Sequence, residues 1–206
     1  MRITEQRLQR FEKIVSQSQL DLTVVLENVH DPHNIGAVLR TCDSVGIREV
    51  YVILTDKNID PEKYEIGSKS SSSAKKWIDI KMYQDLDVAM KDVKDKYKTL
   101  IGTALNESSV SLYETTLSGS VALAFGNERD GLSEEILPYL DQNIVIPQFG
   151  MIQSLNISVA CAISLYESCR QRLALDKYTQ GETSEAKKAL LDSFVKLHNS
   201  SYKTKD

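Results

Sequence analysis

The stretch I-P-Q-F-G-M-I-Q-S-L-N-I-S-V-A-C-A, Ile146 to Ala162, leaves an apolar strand, crosses a Pro/Gly bend and enters an amphipathic helix. Proline and glycine end the strand, and helical spacing of apolar residues resumes beyond them. Small polar residues crowd the bend. Ser154 and Asn156 stand where a helix leaves its first backbone N–H groups without partners, so N-capping accounts for them without any ligand. Two further segments share this layout. After the apolar run Leu22 to Leu26 comes E-N-V-H-D-P-H-N-I-G-A-V-L-R, with Asn34 and Arg40 six apart across a helix start. After Val121 to Phe125 comes G-N-E-R-D-G-L-S, a tight turn holding Glu128 between Gly126 and Gly131. Each segment follows a strand and opens a helix, and in an open α/β sheet that edge is where ligands bind.

Working outward, strand-like runs recur at Leu22 to Leu26, Val50 to Leu54, Trp77 to Met82, Leu100 to Ala104, Val121 to Phe125 and Ile144 to Ile146. Between them lie helical stripes: Ile35, Val38, Leu39, Cys42 and Val45 in one, Leu86, Val88, Ala89 and Val93 in another. Strands alternating with helices predict an α/β fold, a mainly parallel sheet with helices on both faces. Leu8, Phe11, Ile14 and Val15 predict a short helix ahead of the first strand. Leu155, Val159, Ala162, Ile163 and Tyr166 predict a long helix, with Arg170 and Arg172 near its end where the helix dipole favours cations. A last helix is expected over Glu185 to Leu197, with Leu190, Leu191, Phe194 and Val195 on its apolar face. The division expected is an N-terminal helical arm over 1–20, a main domain over 21–175 and a helical extension over 176–206.

The chain has 206 residues, 41% hydrophobic and 26% charged, enough for a full core. No apolar run reaches the ~20 residues of a membrane span, and the first ten residues lack the apolar centre of a signal peptide, so a cytoplasmic protein is expected. Cys42, Cys161 and Cys169 are odd in number, and the first two fall in apolar helical patterns, which favours buried thiols over disulfides or a metal site. The net charge of −4 conceals a pattern. Residues 1–20 carry Arg2, Arg7, Arg10 and Lys13 against Glu5 and Glu12, and Lys69, Lys75 and Lys76 flank the serine run Ser70 to Ser73. Each is a candidate RNA-contacting segment or an ordinary solvated face. The dinucleotide signature G-x-G-x-x-G is absent after the first strand, which argues against an ordinary Rossmann domain.

N-x-G-x-x-x-R from Asn34, F-G-N-E-x-x-G from Phe125 and I-P-x-x-G-M-x-Q-S-L-N-x-S-x-A from Ile146 together resemble the three motifs of the TrmH branch of the SPOUT RNA 2′-O-methyltransferases. They stand in family order and cover Leu22 to Arg172. The resemblance implies a C-terminal deep trefoil knot, S-adenosylmethionine as cofactor, tRNA as partner and a homodimer with its site completed across the interface. It implies cofactor binding by Thr103, Gly126, Ile146 and Leu155, with no metal. Catalytic positions carried over are Arg40, Asn34, Glu128, Ser154 and Asn156. The flanking helices are similar to those of the family members that methylate the D-loop guanosine of tRNA, position 18. Ribosomal-RNA methylation and a non-catalytic RNA-binding role are the alternatives.

Ordinary roles exist for most of these residues. Arg40 reads as a surface arginine, Asn34 as an N-cap, Glu128 as a carboxylate at a helix start, and Ile146 and Leu155 as core. Arginine stays protonated, so Arg40 suits a clamp on phosphate and ribose better than a base. His33 is an alternative base by its pKa range, although the motif does not depend on it.

Overall fold

A computed structural model of the chain describes residues 3–60, 64, 66, 71, 73–104, 109–152, 154–179 and 184–203. Lys69, Ser70 and Ser72 of the serine run lie outside the described residues, as does Arg2. Seven strands form one sheet: β1 Leu22–Glu27, β2 Glu49–Ile53, β3 Asp79–Tyr83, β4 Thr99–Thr103, β5 Val110–Ser111, β6 Val121–Phe125 and β7 Gln142–Val145. Their order is β3-β2-β1-β6-β4-β7-β5. Every pairing between these strands is parallel. The two central strands are buried along their whole length, as the apolar runs V-V-L and V-A-L-A-F require of strands covered on both faces, with Thr23 and Glu27 of β1 buried alongside.

Helix α2, Pro32–Ser44, and helix α4, Ile157–Leu173, cover one face through Ile35, Val38, Leu39, Cys42, Ile157, Cys161 and Leu165. Helix α3, Leu86–Lys96, covers the other through Ala89, Met90 and Val93. Helix α1, Glu5–Ser16, packs Phe11 and Val15 against Phe194 of α5, Glu185–Lys203, and beside Trp77. Cys42 and Cys161 are free and fully buried, and burial pushes both thiols up.

Two expectations are corrected, and one strand has no counterpart among them. Trp77 belongs to no strand: Ala74–Lys76 makes a 3-10 turn, β3 starts at Asp79, and the indole packs on Phe11 and Phe194. The short edge strand β5 was not legible, because two residues carry no alternation to read. Helix α4 begins at Ile157, after Leu155, and turns Ile157, Cys161, Ser164, Leu165, Ser168 and Arg172 inward. The apolar Val159 and Tyr166 of the predicted stripe stand exposed.

Arg172 stands in the last turn of α4, as expected, and does more there than complement the helix dipole. It is fully buried, donating to Asp21 Oδ1 at 2.6 Å, to Gln19 Oε1 at 2.9 Å and to the carbonyl of Gly119. These contacts pin the end of α4 to the segments leading into β1 and β6, at the opposite sheet edge from the three motif turns.

Candidate active site

The motif turns meet at the carboxyl ends of the strands. Asp31, followed by Pro32 at the first helical position, is the N-cap of α2 and accepts from the His33 N–H at 2.8 Å. Asn34 is therefore not the cap, and its side chain points elsewhere. Its Nδ2 donates to Glu128 Oε1 at 2.7 Å, and its Oδ1 accepts from Asn156 Nδ2 at 3.2 Å. Asn156 caps α4, accepting from the Ser158 N–H at 2.8 Å and the Ser158 hydroxyl at 2.6 Å. One hydrogen-bonded chain thus joins the first, second and third motifs.

Glu128 is presented by a turn that only glycine permits at two places. Asn127 and Gly131 bond each other's backbones in both directions, at 3.0 and 3.2 Å, and Asn127 Oδ1 accepts from the N–H groups of Arg129 and Asp130. Gly131 has φ +73, and a Cβ on Gly126 would stand 1.9 to 2.1 Å from the backbone of Gly131 and Leu132. Beneath the turn, the buried Glu27 at the end of β1 accepts from the Ser133 N–H at 2.9 Å and from the Ser133 hydroxyl. The first motif is braced from the other side. Asn28, at φ 50, accepts from the N–H groups of Thr55 and Asp56 at 2.8 and 2.9 Å, and Tyr64 donates to the Val29 carbonyl. His30 pairs with Asp56 at 3.0 Å through Nε2, while its backbone N–H reaches Glu128 Oε2 at 3.4 Å.

A cavity of about 300 Å³ opens beside this chain, lined by Thr103, Gly126, Ile146 and Leu155 together with Ser154 and Glu128. All four expected cofactor residues line it. Phe125, Ile144, Ile157 and Ala160 supply apolar wall, and Asn127, Glu128 and Asp130 supply polar groups. The size and mixed lining suit a small-molecule ligand. Two expected residues stand apart. Arg40 is exposed and lines neither this cavity nor the smaller one beyond Glu128. Six residues at about 100° each set it about 120° around α2 from Asn34. His33 is exposed and lines neither cavity. His30, Asp31 and Arg129 do line the smaller cavity and were not singled out from sequence. The Asp-Pro pair was the readable signal for Asp31, since an acidic cap before proline marks a helix start. Among the described residues, no group of His, Cys, Asp and Glu side chains is arranged to hold a metal ion.

A parallel α/β sheet with a ligand-sized cavity outside its strand ends, next to a run of hydrogen-bonded polar side chains, places this protein among ligand-binding α/β proteins. The chain belongs to the SpoU rRNA methylase family, which its residues 21–166 match. It is 40% identical over 175 residues to a tRNA (guanosine(18)-2′-O)-methyltransferase of Thermus thermophilus, covering 85% of this chain and 88% of the relative. It is similar to the solved TrmH/SpoU tRNA modifying enzyme of A. aeolicus, with TM-score 0.82, 33% identity and coverage of 93% and 95%. The SpoU methyltransferase AviRb of Streptomyces viridochromogenes, solved in complex with the cofactor AdoMet, matches with TM-score 0.62 and 25% identity over 76% of this chain and 62% of that one.

Proposed function

We propose that this protein transfers a methyl group from S-adenosylmethionine to the ribose 2′-hydroxyl of guanosine 18 in the D-loop of tRNA. The observation that carries the reading is the Glu128–Asn34–Asn156 chain standing at the edge of a cavity lined by Thr103, Gly126, Ile146 and Leu155. The relatives matched along most of the chain supply the substrate and the position.

S-adenosylmethionine supplies an activated methyl group, so the protein has to hold, align and deprotonate. Apolar walls from Phe125, Ile144 and Ile146 suit an adenine ring, and the carboxylates of Glu128 and Asp130 suit a cationic ligand. Glu128 accepts only, so it fixes the Asn34 amide with Nδ2 toward itself and Oδ1 toward Asn156. That leaves Asn34 and Glu128 aligned between the cofactor cavity and the substrate. Ser154, on the cavity wall, supplies a hydroxyl on the same side. Arg40 clamps phosphate and ribose as a fixed cation, reaching the site from a second copy of the chain. Its position away from both cavities supports that assignment, as does the exposed stripe of Val159, Tyr166 and Leu173, seven residues apart along α4. The homodimer, the trefoil knot built from the second and third motif loops, and the division into arm, main domain and extension at residues 20 and 175 belong to this reading.

The test is transfer of labelled methyl groups to tRNA and to ribosomal-RNA transcripts, with the modified position mapped. Label at the 2′-oxygen of tRNA guanosine 18 is expected. Label on ribosomal RNA alone would move the protein to the other substrate class, and a folded protein that does not bind the cofactor at millimolar concentration would end the enzyme reading.

A further inference from the structure

A second cavity, about 270 Å³, lies on the far side of Glu128, lined by His30, Asp31, Asn34, Asn127, Glu128 and Arg129. It sits outside the carboxyl ends of β1 and β6. There the strand order divides, with β2 and β3 running out on one side and β4 and β7 on the other. Such a division opens a crevice between the loops of adjacent strands, the place where open α/β sheets take ligands. The two cavities share the turn from Asn127 to Arg129 as a common wall. Given the methyl-transfer reading, on which this inference rests, the nucleoside being modified belongs in the smaller one.

Its polar groups are not equally available. Glu128 spends Oε1 on Asn34 and Oε2 on the His30 N–H. The His30 imidazole is engaged with Asp56. Asp31 caps α2 through Oδ1, and among the described residues its Oδ2 makes no hydrogen bond. Arg129 gives its backbone N–H to Asn127, and its exposed guanidinium has no protein partner among the described residues. Of the cavity's charged groups, one carboxylate oxygen and one planar cation therefore remain without a protein partner among the described residues, beside the Nδ2 of Asn127, whose Oδ1 alone is engaged.

That pair matches one base. Guanine presents N1–H and N2–H₂ donors on one edge, and the O6 and N7 acceptors on another. A carboxylate takes the donors, and an arginine fork takes the acceptors. Adenine offers a lone pair at N1 and an amine at position 6, reversing both contacts, and pyrimidines have no N7. Bases in RNA loops are free to be splayed out and read on these edges. We propose that Asp31 and Arg129 select guanine at the target position, Asp31 through the N1–H and N2–H₂ edge and Arg129 through O6 and N7.

The experiment compares full-length protein on tRNA carrying guanosine, inosine or 7-deazaguanosine at the mapped target. Inosine lacks the 2-amino group, so losing one charge-assisted bond should lower kcat/KM about 10-fold to 100-fold. Asp31→Ser keeps a good N-cap and removes the carboxylate, and Asp31→Asn keeps the shape. In both, guanosine should fall toward the wild-type inosine rate and the guanosine-to-inosine ratio should approach one, with calorimetric cofactor affinity unchanged. In Arg129→Ala the penalty for 7-deazaguanosine should vanish while that for inosine persists. Equal wild-type rates on guanosine and inosine, or Asp31 variants that keep the ratio, would overturn the proposal and leave the methyl-transfer reading in place. Cofactor binding with no transfer to any guanosine would instead remove the reaction, and the proposal with it.

Discussion

The Asn34 side chain is held between a carboxylate that only accepts and an amide that donates, so its orientation follows from charge. Asn34→Asp would remove the donor and set a second carboxylate against Glu128, now 2.7 Å away. The expected result is a single-turnover methylation rate lowered about a hundredfold, which is on the order of 3 kcal/mol, with cofactor affinity retained because Asn34 does not line the larger cavity. Calorimetry beside the rate measurement checks both halves. Arg40 separates fork geometry from mere charge. Arg40→Lys should fail almost as badly as Arg40→Ala, each near a hundredfold, since lysine cannot reproduce bidentate contact with phosphate and ribose. Near-normal rates for Arg40→Lys would reduce its role to nonspecific attraction. From sequence, Asn34 and Asn156 were legible as polar motif residues at one sheet edge, but the division of labour was not. Capping fell to Asp31 and Asn156, and only coordinates show that Asn156 caps and reaches Asn34 at once.

Among the elements, β1 ends in a buried acid that supports the Glu128 turn. Burial pushes the Glu27 carboxyl above its ordinary value of 4.5, the Ser133 bonds pull it back in part, and the charge of Glu135 pushes it further up. The native state therefore holds this proton more tightly than the unfolded chain. Stability from this group falls as pH rises from 4.5 through the raised native value. Glu27→Gln can still accept from the Ser133 N–H and donate to its hydroxyl, without a charge. Urea melts from pH 4.5 to 8 should show wild type losing ground to Glu27→Gln as pH rises, and a constant gap would contradict the assignment. Helix α1 buries Phe11 and Val15 and leaves Arg10 and Lys13 exposed, so deleting the arm would uncover Phe194 and Trp77 as well as remove charge. Reversing Arg10 and Lys13 to glutamate is the cleaner test of tRNA docking. If both meet phosphates, the slope of log affinity against log salt should shrink by roughly two, with cofactor affinity unchanged. The α4 stripe was misread because its inward face carries Ser164, Ser168 and Arg172, which hydropathy cannot distinguish from a solvated face.

At the scale of the whole molecule, Arg172 closes the sheet from behind. Burial alone would raise the Asp21 carboxyl, but hydrogen bonds from Arg172 and Lys177 overcome it and hold the group below its ordinary 3.8. The stability contributed is full above 3.8 and lost as pH falls through the lowered native value. Arg172→Met should cost about 3 kcal/mol at neutral pH, leaving Gln19 Oε1, Asp21 Oδ1 and the Gly119 carbonyl without their donor, and should flatten the acid side of the stability profile in part, since Lys177 still donates to Asp21 Oδ2. Denaturation midpoints at pH 7 and pH 3 read both effects. The parallel α/β class and its motif-bearing edge were legible because continuous apolar runs alternate with helical stripes. The order of strands was not, since pairing partners far apart in sequence leave no mark on local pattern. That order shapes how the protein is made. Leu22 of β1 pairs with Val121 of β6, about 100 residues later, and no hairpin joins any two strands of the sheet. At a translation rate of about 5–20 residues per second, β1 emerges roughly 5–20 s before its central partner exists. The strand that carries the first motif spends that interval with one edge unpaired, so newly synthesised chains are most prone to associate while β6 is still inside the ribosome.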